Sequence, residues 1–491
     1  MLFTLLAYFC VLLAISRRTS HGGANGNDAF FRAGRQSPWW MVAFGMVGAS
    51  ISGVTFISVP GWAQSTGMTY LQMCMGFVAG YVVVAAVLLP LYYKLRLTSI
   101  YAYLGLRFGP STRRTGALFF LLSKLTGAAA RLYLVCMVLC EFVTRPLWGD
   151  GLPQFTATSA VVLLLIWLYT RRSGIQTIVR ADAVQTACLL LAAVGIVVAA
   201  AQRMHLDAAG VWRTVTESGM CRVWEWDPGS KQAFWRQFLS GMFIVVVMTG
   251  LDQDMMQKNL TCRTLREAQK DMVSYGLAFL PVNALFLGTG ILLYSLCAAQ
   301  HLAPPAAGDA LLPWLVSSGH LGTWVIMPFT IGIVAAAFSS ADSALAALTT
   351  TACIDLLRIE ERGLTEERAR RIRRTVHVLM VLLFLACITV YRICADDNIL
   401  NAIYVMASYT YGPLLGLYAF GLYTRRGVCD RRVPVVCLLS PVVCGVLDHC
   451  APSWWNYTFG YELLMLNGLL TMAGLWCIAK RNEGAWRNDG I

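Results

Sequence analysis

Charge is what this chain has least of. Only 13% of its 491 residues are Asp, Glu, Lys or Arg, against roughly 25% in soluble globular chains, which excludes an ordinary water-soluble protein of this length. The six histidines are scattered and no C-x-x-C pair occurs, so neither a zinc site nor a redox dithiol is expected. No His stands with a nucleophile in a recognisable motif, which argues against an enzyme. Acids are scarcer than bases, 26 against 39. The basic excess falls in short clusters between apolar runs, as orientation signals do, rather than in a basic domain, so nucleic acid is not expected as a partner. The longest polar break, 203–235, is too short for a soluble domain.

What the chain does have is apolar length. Hydrophobic residues make up 57% of it, gathered in runs long enough to cross a bilayer, so the fold class is an all-α polytopic membrane protein. Counting runs between polar breaks predicts about thirteen transmembrane helices, near 1–16, 39–66, 68–93, 115–145, 155–172, 176–202, 236–257, 273–300, 322–353, 374–394, 398–424, 433–450 and 457–479. Alternate breaks are rich in Lys and Arg (Arg17 and Arg18 with Arg32, Arg113 and Arg114, Arg171 and Arg172, Lys258 to Lys270, Arg368 to Arg374, Arg425 and Arg426, Lys480 and Arg481). These breaks are expected in the cytoplasm, with the N-terminus outside and the C-terminus inside a cell membrane. Ser99 to Gly109 is too short to span and reads as an interfacial helix. Most of the sixteen cysteines, Cys74 and Cys136 among them, sit inside spans as small hydrophobes.

Against this apolar background a few polar residues need a reason. Ala335 to Ser343 reads Ala-Ala-Ala-Phe-Ser-Ser-Ala-Asp-Ser, which puts Ser339, Asp342 and Ser343 on one helix face beside small residues that allow close backbone approach. Oxygen ligands on a narrow face suit a small hard cation; the alternative is a packing helix whose Asp342 is tied to an Arg. Gly45, Gly48, Ser50, Ser52, Gly53, Thr55, Ser58, Pro60 and Gly61 interrupt the second span, the composition of a broken helix or of a Pro-kinked packing helix. At the helical rise, Asp182 lies ~10 Å and Asp342 ~15 Å from the cytoplasmic ends of their spans, and the Gly48 to Ser52 break ~14–20 Å from its own. Three polar features thus converge on one level, where sodium or a proton is the natural guest. Lys124 and Arg131 share a face of the fourth span; Arg131 could receive a carboxylate bidentately or balance Asp182 or Asp342.

The chain resembles the sodium:solute symporter family, in its sialic acid branch, on Phe30 to Arg35, Gly45 to Gly61, Arg180 to Gln185, Asp252-Gln253-Asp254-Met255-Met256-Gln257-Lys258, Ser339 to Ser343 and Tyr409 to Pro413. The resemblance implies a LeuT-like core of two inverted five-helix repeats, 39–202 and 236–424, preceded by an extra helix and linker (1–38), separated by an outer loop (203–235) and followed by two helices (425–491). It implies a sodium held by Gly48, Ile51 and Ala336 carbonyls with Ser339 and Ser340 hydroxyls, and a second sodium or proton site at Asp182, Ser339, Asp342 and Ser343. Position 342 departs from the family in carrying a second acid. Substrate contacts map to Ser50, Ser52, Thr55 and Arg131, with Tyr70, Gln72 and Cys74 on the next span; the residues near Val245, Met248 and Thr249 do not match the sugar branch. The expected function is sodium-coupled import of a small, carboxylated, sialic acid-like solute by alternating access, with Na+ as the co-transported ion, no organic cofactor and no obligate protein partner. Proton coupling, a neutral polyol, sugar or amino acid as solute, and a non-transporting membrane sensor are the alternatives.

Overall fold

The computed structural model describes residues 2–21, 30–31, 33–140, 144–145, 149, 151–394 and 399–480. Arg32 and Arg481, which the sequence assigns to cytoplasmic breaks, lie outside these, as do the side chains of Arg18 and Arg172. Among the described residues the chain is mainly helical. It runs through α1 (Leu2–His21), α2 (Trp39–Ser50), α3 (Gly53–Thr66), α4 (Tyr70–Lys94), α5 (Ala102–Arg107), α6 (Pro110–Leu139), α7 (Leu152–Ser173), α8 (Ile175–Arg203) and α9 (Ala208–Thr216). There follow α10 (Phe234–Gly250), α11 (Gln253–Asn259), α12 (Leu265–Ala299), α13 (Leu311–Ser317), α14 (Ile326–Thr351), α15 (Glu366–Cys394), α16 (Ile399–Tyr423), α17 (Val433–Trp455) and α18 (Leu463–Cys477). Among the described residues eight helices are long and apolar enough to cross a membrane, and up to ten if each bent pair is one span. Of the thirteen expected spans, those at 1–16 and 398–424 correspond to α1 and α16, some of whose side chains lie outside the described residues, and that at 457–479 to the 15-residue α18.

Two helices break in mid-course. Between α2 and α3 the axis turns by 60°, and between α10 and α11 by 70°. At the first break Ile51 and Ser52 leave helical geometry, and the Ser52 hydroxyl accepts the Thr55 N–H at 3.4 Å as an N-cap. At the second, Asp252 (φ −105°, ψ 119°) caps α11 by accepting the Asp254 N–H at 2.8 Å. Such caps satisfy amides that a break would leave bare where no water reaches them. The sequence announces the first break with glycines and serines; the second falls in a stretch read as one continuous span.

The broken helices are gripped on several sides. α8 packs along both α14 and α2, α12 along α3, α6 along α14 and α16, and α10 along α4. The α4–α10 contact depends on Gly76, where a methyl group would collide with the Phe238 carbonyl. Ser99 to Gly109 contains the short helix α5, whose Arg107 is buried and donates to the Thr424 carbonyl at 2.8 Å.

Candidate functional site

The breaks face one another across a cavity of about 100 Å³. Ser50 and Thr55 line it from the first broken pair, Tyr70 and Tyr81 from α4, Lys124 and Arg131 from α6, Thr249 and Asp252 from the second break, Tyr275 from α12 and Tyr411 from α16. Phe77, Met248 and Phe279 supply an apolar wall. The polar groups are hydrogen-bonded to one another: Tyr81 donates to the Tyr275 hydroxyl at 2.6 Å, that hydroxyl meets Ser50 Oγ, and Tyr411 donates to Asp252 Oδ2 at 2.6 Å.

The two cations of α6 differ. Lys124 Nζ lies 3.1 Å from Asp252 Oδ2 and 2.7 Å from Asp254 Oδ2, so its charge is already met by carboxylates. Arg131 is half-buried and has no carboxylate within ion-pair distance among the described residues; the internal pairing with Asp182 or Asp342 left open by the sequence does not form. A guanidinium beside hydroxyls and an apolar wall is suited to a carboxylate with an apolar or hydroxylated body.

Of the expected solute contacts, Ser50, Thr55, Tyr70 and Arg131 line the cavity. Ser52 and Gln72 do not, and both have backbone duties instead. Ser52 caps α3. The Gln72 side chain donates to the Gln232 carbonyl at 2.9 Å and accepts the Glu225 N–H at 3.2 Å, pinning the loop before α10 onto α4. Cys74 is buried outside the cavity wall.

The residues expected to hold an ion gather behind the cavity. α2 and α8 come so close that a methyl on Gly48 would run into Thr186 Oγ1 and lie 3.0 Å from the Thr186 Cα. At the break the Ser52 N–H turns to the Ser50 carbonyl, and the Thr55 N–H to Ser52 Oγ. The carbonyls of Gly48 and Ile51 thereby lose their usual i+4 donors. Ser340 reaches over from α14 and donates to the Ala49 carbonyl at 3.3 Å; Ser339 donates to Asp182 Oδ1 at 2.6 Å. Ala336 lies one turn before Ser340 on the same buried helix. Carbonyls and hydroxyls from two helices can surround a small hard cation with oxygen.

The acidic group next to it holds a residue that the sequence placed elsewhere. Lys258, expected among cytoplasmic basic residues, is 1% exposed, and its Nζ lies 2.8 Å from Asp182 Oδ2 and 3.9 Å from Asp254 Oδ1. The break at Leu251 and Asp252 turns α11 inward and carries Lys258 with it, which a count of apolar runs cannot register. Ser343 donates to Asp254 Oδ2 at 3.3 Å and to the Ser339 carbonyl at 2.7 Å. Asp342 is fully buried and accepts the Tyr169 hydroxyl at 2.5 Å, its other oxygen having no hydrogen-bond partner among the described residues. A continuous line of contacts, Lys124 to Asp254 to Lys258 to Asp182 to Ser339, thus joins the cavity to the residues expected to hold an ion. The available signal is an acid and a lysine four apart, Asp254 and Lys258, at the end of an apolar run, where they can pair along one helix face.

A profile of the sodium:solute symporter family matches residues 30–429. The chain is 24% identical over 475 residues to the sodium/sialic acid symporter NanT of Aliivibrio fischeri, covering 95% of this chain and 92% of that one. It is 24% identical over 419 residues to the human sodium/iodide cotransporter, covering 82% of this chain but only 62% of that protein's length. In structure it is similar to a Na+-coupled sialic acid symporter solved in a substrate-bound, outward-open state, with a TM-score of 0.81, 19% identity and coverage of 97% and 98%. That likeness extends through the broken helices and both flanking regions, so the fold is the LeuT-like one.

Proposed function

The chain belongs to the sodium:solute symporter family, a family of membrane transporters rather than enzymes, and from that premise we propose that it imports a small organic monoanion, a carboxylate, by sodium-coupled alternating access. The observation that carries the choice of solute is the contrast between Lys124 and Arg131. One cation is neutralised by Asp252 and Asp254, and the other stands in the cavity without a carboxylate. A carboxylate solute supplies the missing partner, Ser50, Thr55 and Tyr70 contact its hydroxyls or body, and Phe77, Met248 and Phe279 cover its apolar side.

Sodium binds where the α2 break frees the Gly48 and Ile51 carbonyls, with Ala336, Ser339 and Ser340 completing the shell from α14. Because these ligands come from two helices, the ion holds the break in one arrangement relative to α14, and the cavity beside Ser50 is shaped by the same break. Sodium therefore raises solute affinity through its own preference for one of two states, and linkage makes the effect reciprocal. The Lys- and Arg-rich breaks support a C-terminus in the cytoplasm and an N-terminus outside.

Uptake of radiolabelled carboxylates (lactate, pyruvate, a sialic acid) into proteoliposomes under an inward sodium gradient tests the reading. Arg131→Ala removes uptake while sodium-dependent thermal stabilisation of the purified protein is retained, and Arg131→Lys restores part of it at best because a point charge lacks the two-pronged geometry. Undiminished uptake by Arg131→Ala would reject the role given to Arg131; uptake indifferent to sodium would reject the coupling.

A further inference from the structure

An internal positive charge occupies the acidic group behind the cavity. Lys258 is brought there by the 70° bend between α10 and α11, is 1% exposed, and puts its ammonium 2.8 Å from Asp182 and 3.9 Å from Asp254. Asp182, Asp342 and Ser343 are the side chains which, with Ser339, the family resemblance offers to a second sodium. In this chain one oxygen of Asp182 faces Lys258 and the other accepts Ser339, while Ser343 donates to Asp254 and to its own helix. A sodium on the same Asp182 oxygen would sit within a few ångströms of the ammonium, in buried surroundings that screen the repulsion weakly.

We propose that Lys258 is a tethered cation standing in place of a second sodium, so that the chain binds a single sodium, at Gly48, Ile51, Ala336, Ser339 and Ser340. The inference rests on the symport reading above and adds the ion count to it. It also accounts for Asp254, which is held by Lys124 on the cavity side, faces Lys258 on the other, and so fixes the ammonium toward Asp182. A lysine cannot leave with the solute, so the charge compensating Asp182 stays with the protein throughout the cycle. The solute is driven by one ion only.

The test counts ions. Purified protein in sodium-free choline buffer is titrated with 22Na+, and bound ions per chain are read together with the Hill slope of sodium-dependent uptake. Wild type binds one sodium with a slope near one. Lys258→Met, which keeps the bulk of the side chain and removes its charge, opens the acidic group, and the bound count rises twofold. Two sodium ions on wild type would overturn the inference and leave symport standing. No sodium on wild type would overturn symport, and the inference with it. A folded Lys258→Met that still binds one sodium would also overturn the inference. Where Lys258→Met does not fold, the double variant Lys258→Met/Asp182→Asn, which removes both charges, folds and binds one sodium; a folded double variant that binds none would overturn the inference by making Asp182 part of the first site.

Discussion

Removing the Lys124 ammonium isolates the energetics of the charged line behind the cavity. Lys124→Met leaves Asp252 and Asp254 buried without their nearest cation, and breaking one side of a buried ion pair typically costs about 3–5 kcal/mol because the remaining charge has no water to turn to. Here the loss falls near the lower bound, about 3 kcal/mol, since each carboxylate keeps other partners. Asp252 still accepts the Tyr411 hydroxyl at 2.6 Å and the Asp254 N–H at 2.8 Å, and Asp254 still accepts Ser343 at 3.3 Å and faces Lys258 at 3.9 Å. The control is Arg370→Met. Arg370 Nη2 lies 2.9 Å from Glu366, as close as the buried pair, but the two side chains are 34% and 68% exposed, and an exposed i,i+4 pair is worth about 0.3–0.5 kcal/mol. Equal distance with unequal burial therefore predicts roughly a sixfold difference in cost. Unfolding of purified protein in mixed micelles by sodium dodecyl sulfate, with no solute present, reads both values. The double variant Lys124→Met/Asp254→Asn should regain at least about 1 kcal/mol over the sum of the single changes, the size expected for directly contacting groups. Lys124→Met costing no more than Arg370→Met, or strict additivity with Asp254→Asn, would refute the claim that burial rather than proximity sets the strength of this line.

Two further outcomes follow from the packing of α2 on α8 and from a carboxylate at the start of α18. Gly48→Ala forces α2 away from α8, because the new methyl meets Thr186 Oγ1 and lies 2.8 Å from the Thr186 Cβ and 3.0 Å from its Cα; overpacking of this kind costs about 1–3 kcal/mol. Sodium-dependent thermal stabilisation should fall with it, and Thr186→Ala in the same chain should recover only part, since the contact with the backbone atom remains. Glu462, at the entry to α18, is partly buried, which by itself favours the neutral acid, but the Gly460 N–H, the Tyr457 hydroxyl and the Arg236 guanidinium outweigh this and hold its carboxyl below the usual glutamate range. A lowered value in the folded state means that its stabilisation is present above the ordinary glutamate pKa of about 4.3 and is lost as pH falls through the folded value. Melting temperature should accordingly drop more for wild type than for Glu462→Gln between pH 6 and pH 3.5, and parallel drops would remove Glu462 from the account.

The parts of the site that were legible in the sequence are those whose local composition already states a conflict. Gly45 to Gly61 cannot be a regular helix in an apolar span without leaving carbonyls bare, and the chain does break there, with Ser52 as cap. Ser339 and Asp182, polar groups at matched depth in separate spans, do meet at 2.6 Å. Ser52 and Gln72 show the limit of that logic, since a buried polar side chain can answer a backbone group as readily as a solute, and sequence carries no mark that separates the two. Lys258 shows a deeper limit. Read along the chain, it is one more basic residue at the end of an apolar run, followed by Arg263 and Arg266, and the rule that assigns such residues to the cytoplasm is sound on average. What overturns it is a bend of 70° a few residues earlier and a carboxylate far away in sequence. A charge can be buried only where its partner is built, so the position of Lys258 is decided by Asp182 and Asp254 jointly, and no window centred on Lys258 contains Asp182. The same reasoning accounts for Arg131, which sequence placed at the cavity but could not distinguish from an ion-paired residue. Lys258 takes Asp182, Lys124 takes Asp252 and Asp254, and Asp342 is held by the Tyr169 hydroxyl, so among the described residues no carboxylate reaches the Arg131 guanidinium and it is available to a solute.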